Sequence, residues 1–345
     1  ASVHVGLVGF ALHAVDGTRV SAVSRDRALS RDELVALEER AARAIAQLER
    51  SVEAEEESDS ADPEGCTMPE ALKNPEELQA RVKQALAELD QREANRKSHH
   101  GGAINPQSGK PYGPKINLAD PEAVQLKGRR GFVMGYNAQA AVDDQARVIV
   151  GADVIAQATD NEALVPMLDE IEANTGRLAE ATAYDSGYHS AENLAAVQDR
   201  PTDVYVADPN MERKESKPEG AAYHKDAFVH DPETDTYRCP AGALLHRYKR
   251  DRAAQVDYYW SRACGHCAQK AHCTKSERRA IARSWHAGAA ERAHQRAQDR
   301  PLMRLRSATA EHPFGNLKAM MPGGFLLRTL PKVRGRWRWR CSPTT

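Results

Sequence analysis

Three acids in this chain of 345 residues stand where a strand or a helix could present a carboxylate: Asp16 in an early apolar stretch, Asp185 at the end of a later one, and Glu311 in a helical segment. Carboxylates gathered at strand ends supply the hard oxygen ligands that Mg2+ and Mn2+ prefer. Two such ions about 3.5–4 Å apart can activate an attacking water or 3′-hydroxyl and stabilise the leaving oxygen of a phosphodiester. The chain has 49 Asp and Glu, so many triples of acids exist, and on spacing alone these three read equally well as caps and turn residues.

A second constellation is made of sulfur. Of six cysteines, Cys66 and Cys341 stand alone, whereas Cys239, Cys264, Cys267 and Cys273 fall in one stretch. Cys264-Gly265-His266-Cys267 offers a zinc ion two thiolates from one turn, and a second pair completes a tetrahedron. Pro240, Gly242 and Gly265 permit tight turns, and His266 and His272 are spare ligands. Such a site is closed and structural, with no open position for chemistry. Two disulfides, or unrelated thiols, are the competing readings; no export signal is read in the chain, and in a reducing compartment disulfides would not persist.

These groups need strands and helices to position them. Residues 8–24 alternate as a strand does, with Asp16-Gly17-Thr18 expected to interrupt the run. Residues 30–57 read as a helix capped by Ser30 or Asp32, with Leu34, Leu37, Ala41, Ala44, Ile45 and Leu48 at three- and four-residue spacing. Residues 75–96 read as a second helix with Leu78, Val82, Ala85, Leu86 and Leu89 on one side. The acidic stretch 58–65 joins them as a loop, which predicts an antiparallel helical hairpin. Residues 98–113, with His99 and His100, read as a polar linker rather than a metal site. Residues 131–156 predict a β-hairpin about Asp143-Asp144-Gln145-Ala146, followed by a helix over 161–173. Residues 181–189 predict a short strand running into a glycine turn. Asp185 then stands at the carboxyl end of a strand, where open α/β sheets bind ligands. Ser190 caps a helix over 191–198, and 287–320 is mostly helical with a new segment opening at Pro301.

Lys plus Arg number 48 against 49 acids, so the net charge of −1 says nothing about a polyanionic partner. Its distribution says more: acid gathers in residues 32–64, base in 247–252, 278–283 and 328–340. No run of about 18 apolar residues is present, so no membrane span is expected.

Several motifs resemble one family. Asp16-Gly17-Thr18 resembles the first-strand motif of DDE transposases. Asn117-Leu118-Ala119-Asp120-Pro121, followed by Gly131-Phe132-Val133-Met134-Gly135-Tyr136-Asn137-Ala138-Gln139-Ala140-Ala141-Val142-Asp143, resembles a signature of one large group of bacterial insertion-sequence transposases. Asp185-Ser186-Gly187-Tyr188-His189-Ser190 resembles their second-aspartate motif, Tyr237-Arg238-Cys239-Pro240 with the later cysteines their insert, and Glu311-His312-Pro313-Phe314-Gly315-Asn316-Leu317-Lys318 their final-glutamate motif. The motifs run in order from about residue 8 to about residue 335.

The resemblance implies an α/β, RNase H-like fold: a mixed sheet flanked by helices, with a helical-hairpin insertion and a small Cys-rich zinc-binding insertion. It places the first strand of the catalytic core in 8–28, the hairpin and linker in 29–115, further core in 116–205, the zinc-binding insertion in 206–285, core helices in 286–335 and an atypical tail in 336–345. It implies metal-dependent cleavage and strand transfer of double-stranded DNA, both transposon ends and target, with two Mg2+ or Mn2+ ions on Asp16, Asp185 and Glu311 and a structural Zn2+ on the four cysteines. Asp143 is the alternative first ligand; Asp16 is favoured because a hairpin turn lies away from the metals in this fold. Lys318 lies seven residues after Glu311 and Arg304 seven before it, hence on the same helix face. Both, with Arg306, are implied to contact DNA, against the plainer reading of solvated surface charges. Tyr188 either stacks on a flipped base or belongs to the core.

The chain departs from the family in places. Relatives carry a basic residue shortly before the Glu, where this chain has Ser307 beside Arg306. They carry Asp-Pro-Asp-Ser-Arg where it has Asp120-Pro121-Glu122-Ala123-Val124, which removes an Arg from any phosphate contact there. They also have an N-terminal helical region that binds transposon ends and a closing apolar helix, neither of which is read here. The expectation is therefore a cytoplasmic, nucleoid-associated transposase or a truncated, inactive copy of one. The alternative is a non-catalytic zinc-containing DNA-binding remnant, a repressor of its parent element. A homodimer is expected because two transposon ends must be joined, and DNA binding is expected to be salt-sensitive.

Overall fold

The computed structural model describes residues 2–22, 28–57, 75–96, 113–128, 131–209 and 223–342. Its first sheet holds β1 (Leu12–Ser21), β2 (Val124–Gly128), β3 (Gly131–Asp143), β4 (Ile149–Ile155), β5 (Ala181–Tyr184) and β6 (Asp203–Val206), in the order β2-β3-β1-β5-β6 with β4 paired to β3. A second sheet is an antiparallel meander of β7 (Val229–Asp231), β8 (Thr236–Arg238), β9 (Leu244–Asp251), β10 (Val256–Trp260) and β11 (Ile281–Ser284). The helices are α1 (Arg31–Glu57), α2 (Pro75–Arg96), α3 (Leu164–Thr175), α4 (Ala191–Ala196), α5 (Lys270–Cys273), α6 (Ala287–Arg296), α7 (Arg300–Ala319) and α8 (Leu330–Cys341). Among the described residues no helix is long and apolar enough to cross a membrane.

The break expected at Asp16-Gly17-Thr18 does not occur, because β1 runs straight through it. β1 lies between β3 and β5 in the sheet, and it stays extended through Gly17. In β3 every residue from Met134 to Asp143 is buried, as in a strand covered on both faces.

The chain divides into two compact units. One comprises Gly17–Ala140, Ala152–Thr159 and His312–Thr345. Here α1 opens with a capping box: Glu33 accepts the Ser30 amide (2.7 Å), and the Glu33 amide reaches back to Ser30 Oγ (3.4 Å). Leu34 of α1 packs with Val82, Ala85 and Leu89 of α2 and with Ile116, and Arg31 pairs with Asp90 and Glu93. The start of α1 thus meets the end of α2, the antiparallel hairpin that the apolar spacing predicts. The loop 58–65, Cys66 and most of the linker 98–113 lie outside the described residues.

The segment 117–122 braces this unit, a role its sequence does not announce. Asn117 Oδ1 accepts the Ala119 amide (2.8 Å), and the fully buried Asp120 accepts the Tyr136 hydroxyl (2.7 Å) and the Thr329 amide (3.2 Å). Glu122 accepts the Leu330 amide, so two acids cap the start of α8. Residues 336–341 are no irregular tail but the second half of α8. Val333, Trp337 and Cys341 bury one face at four-residue spacing, and the Trp337 Nε1–H donates to the Gln139 carbonyl (2.8 Å). The arginines that disguise this helix are used inward: Arg334 donates to the Val154 carbonyl and Arg338 to that of Ala152, with Asp153 beside both. Burial pushes the Cys341 thiol up to about 12, which makes it an inert core group.

The other unit comprises Ala1–Asp16, Ala141–Gly151 and Asp160–Glu311. Helix α3 buries Leu164, Met167, Leu168 and Ile171 and ends at Gly176, whose left-handed backbone (φ 81°) sends its amide back to the Glu172 carbonyl. The second sheet, which the sequence reading did not anticipate, has its own core of Phe228, Tyr237, Leu245, Tyr259 and Ile281.

Candidate active site

Strands β1 and β5 run parallel, with Leu12 opposite Ala181, His13 opposite Thr182 and Ala14 opposite Ala183. Two steps further in that register stand Asp16 and Asp185. In that register Asp16, midway along β1, falls level with Asp185, which follows the last residue of β5.

Asp185 leaves β5 in extended conformation and caps the 3-10 turn Ser186–Tyr188, accepting the Gly187 amide at 2.8 Å. Burial raises its carboxyl above the usual range and the Asp160 carboxylate pushes the same way, while the Gly187 amide and the Arg306 guanidinium pull it down. Gly187 leaves room for this crowding: a Cβ there would lie 2.7 Å from Asp160 Oδ2 and 3.0 Å from Asp185 Oδ1. Asp160 is the acid that sequence reasoning missed. It precedes the turn Asn161–Ala163 as a cap would, yet makes no side-chain cap there. No pattern in the sequence distinguishes those two uses. Tyr188 is fully buried, and its hydroxyl is held protonated by that burial and by the charges of Asp160, Asp16 and Asp185. It is a core residue, closed to a stacking base.

Arg306, expected to contact DNA, is buried to 8% exposure on α7. Its Nη1 lies 3.6 Å from Asp16 Oδ2 and its Nη2 donates to Ser307 Oγ (2.9 Å). It faces acids of its own chain rather than an external phosphate. Glu311, Arg304 and Lys318 are exposed on the same helix at seven-residue spacing, so they share one stripe. Asp143 has a different task. Its Oδ2 accepts the Gly9 amide (2.9 Å) and its Oδ1 the amides of Gln145 and Ala146 (3.1 and 3.3 Å), which fixes the turn after β3. His13, buried at 3.8 Å from it, is held neutral: burial lowers its pKa to about 4 against the pull of Asp143.

Among the described residues no group of three or more His, Cys, Asp or Glu has the geometry to hold a metal ion. Asp16 and Asp185 are brought together; Glu311 does not join them in such a group. The donors present are nonetheless of the hard-oxygen kind that suits Mg2+ or Mn2+. A cation, the Arg306 guanidinium, already stands beside one of them.

The four cysteines behave similarly. Cys239, Cys264, Cys267 and Cys273 all line one cavity of about 220 Å³ and carry free thiols, without closing into a ligand set. Cys239 turns the β8–β9 hairpin, and its sulfur accepts the Ala243 amide at 3.2 Å. Burial raises the Cys273 thiol, and its three neighbours add to that shift. His266 and His272 are exposed and do not line the cavity.

No curated protein and no solved structure matches the chain. A family model described as "Transposase DDE domain" matches residues 112–341, a stretch that begins after Asp16 and includes Asp185, Glu311 and the four cysteines. Members of this family act on DNA in transposition and in general use divalent metal ions. The match spans more than half of the sequence, and the chain belongs to the DDE transposase family.

Proposed function

We propose that this chain cleaves and joins DNA strands in the transposition of an insertion sequence, with Asp16 and Asp185 as the central metal ligands of an RNase H-like core. The observation that carries the reading is the register of β1 and β5, which, continued two residues, sets Asp16 of β1 level with Asp185 just past the end of β5. Divalent ions, when bound, would activate the attacking water or 3′-hydroxyl and stabilise the leaving oxygen. Glu311 is the third ligand in this reading, and the Arg306 guanidinium, 3.6 Å from Asp16 Oδ2, would share that carboxylate with a bound ion. Asp16 is preferred to Asp143, whose oxygens are taken by backbone amides. Lys318 and Arg304 flank Glu311 on its stripe and would meet the DNA backbone. The partners are transposon ends and target DNA, joined by a homodimer, and the cellular setting is the cytoplasm at the nucleoid.

We further propose a structural zinc ion on Cys239, Cys264, Cys267 and Cys273. Their shared cavity and the amide donated to the Cys239 sulfur support it. Metal analysis of protein purified without added zinc should find about one Zn2+ per chain. Metal-free protein with four reactive thiols and an unchanged melting temperature would overturn it.

A second reading, a DNA-binding protein without catalysis, draws on one observation: Glu311 does not close the metal group. Nicking of supercoiled plasmid in Mn2+ decides between them. Nicking by the chain that is lost in Asp185→Ala supports the metal site. No nicking by a folded chain, or equal nicking by both, rejects it.

A further inference from the structure

Charge is nearly balanced over the whole chain, but residues 236–285 hold eleven Lys and Arg against three Asp and Glu. This stretch builds most of the second sheet, whose two faces differ. One face packs Tyr237, Leu245, Tyr259 and Ile281 into the core of the sheet. On β10, Tyr258 and Trp260 alternate with Tyr259 and so stand on the opposite face, with Tyr258 paired across to Lys249 and Trp260 to His246. A bulge between Tyr258 and Tyr259 places the Tyr248 ring 6.4 Å from that of Tyr258 and 5.4 Å, edge-on, from that of Trp260. Tyr248 is 51% exposed. Cations lie over the other two rings: Lys249 Nζ is 5.3 Å from the centre of Tyr258, and the Arg278 guanidinium 3.7 Å from that of Trp260.

Three aromatic rings in a row on the open side of a sheet close no core, since the sheet has its core on the other side. Interleaved with cations, they offer two things together: flat apolar surfaces for stacking and positive charge for phosphate. Duplex DNA hides its base faces, whereas a single strand exposes them, and bases of any sequence stack on aromatic and guanidinium planes. We infer that this face is a docking surface for single-stranded DNA, with unpaired bases on Tyr248 and the Trp260–Arg278 stack, and phosphates beside Lys249 and His246. The inference rests on the DNA-processing reading above, in which opened strands are the source of the ligand, but it concerns a surface away from Asp16 and Asp185 in sequence and in role.

The test is fluorescence anisotropy of the full chain with a labelled oligothymidine about 20 nucleotides long, beside a duplex of equal length and a polyglutamate competitor. The expected result is tighter binding of the single strand than of the duplex. Tyr248→Ala should weaken single-strand binding by about tenfold, the scale of one lost stacking partner, while Tyr248→Phe restores it. Lys249→Ala combined with Arg278→Ala should weaken binding and flatten its dependence on salt. Single-strand binding equal to wild type in folded Tyr248→Ala, or equal affinity for the duplex, would overturn the inference. So would displacement by polyglutamate as effective as by oligothymidine, which would make the face a site for acidic protein. Asp185→Ala keeps the two readings apart: it should bind oligothymidine as wild type does, whether or not nicking depends on it.

Discussion

Asp185 beside the first sheet and Asp257 in the second are both acids withdrawn from water, and the chain treats them in opposite ways. Asp257 is gripped by Arg250 through Nε (2.8 Å) and Nη2 (2.9 Å), with Arg247 at 3.5 Å. The Arg250 hydrogen bonds draw its carboxyl below the ordinary range against the opposing effect of burial. Asp185 accepts one amide, from Gly187, and has both a second carboxylate, Asp160, and the Arg306 guanidinium for neighbours, yet its carboxyl is raised. The first arrangement is complete as it stands. In the second the carboxyl is raised chiefly by burial, with the Asp160 carboxylate adding to it and the Gly187 amide and Arg306 opposing. A buried carboxylate set near another is what a site for a cationic ligand looks like from the protein side.

The contrast can be broken most sharply by activity. Asp185→Asn should lower Mn2+-dependent nicking by about a thousandfold, the scale of several kcal/mol of lost transition-state stabilisation, whereas Asp257→Asn should leave the rate per folded molecule close to wild type. Equal losses in plasmid assays would show that the two acids do not differ in kind. Next in size is Gly187→Ala. Its methyl group would displace the carboxylates of Asp160 and Asp185, so nicking should fall by about ten- to a hundredfold with little change in melting temperature.

Thermal unfolding in chelator sharpens the same contrast with a smaller effect. At neutral pH, Asp257→Asn should melt below wild type, because it loses a charge-assisted pair. Asp185→Asn should melt at or slightly above wild type, because it removes a buried charge beside the Asp160 carboxylate. The pH dependence follows from the directions of the two shifts. The lowered carboxyl of Asp257 adds stability above the ordinary carboxylate range and loses it as pH falls through its folded value. The raised carboxyl of Asp185 costs stability at neutral pH, and that cost disappears as pH falls through its folded value into the carboxylate range. Both variants should therefore converge on wild type in acid, from opposite sides. Convergence from the same side in differential scanning fluorimetry would refute the distinction.

Much of the first sheet was legible in the sequence because its signals are local. The hairpin after Gly131, the strand and glycine turn that place Asp185, and the apolar spacing of α1 and α2 all lie within windows of a few residues. What escaped depends on distant partners. The strand through Asp16-Gly17-Thr18 is held by its neighbours in the sheet, and Asp160 gains its meaning only from Asp185 across the Gly187 turn. The helix over Arg336–Cys341 hides its apolar face between arginines whose charges end on Asp153 and two backbone carbonyls. The second sheet escaped for another reason: β9 carries charge at four positions, Arg247, Lys249, Arg250 and Asp251, so its alternation is hard to see. Its place in the sheet is fixed by its own Leu245, which packs with Tyr237 and Tyr259 of the neighbouring strands.

The pairing of β1 with β5 also governs when the acids can meet. Between them the chain must lay down α1, α2, β2, β3, β4 and α3. Contacts so remote in sequence form slowly, because the loop must close before any pairing repays it. A nascent chain that has passed Asp16 carries one isolated carboxylate until Asp185 has been made and its strand has docked. Whatever strand-cutting capacity the protein has is thus withheld through most of its synthesis and folding, and arises only once these two distant strands have paired.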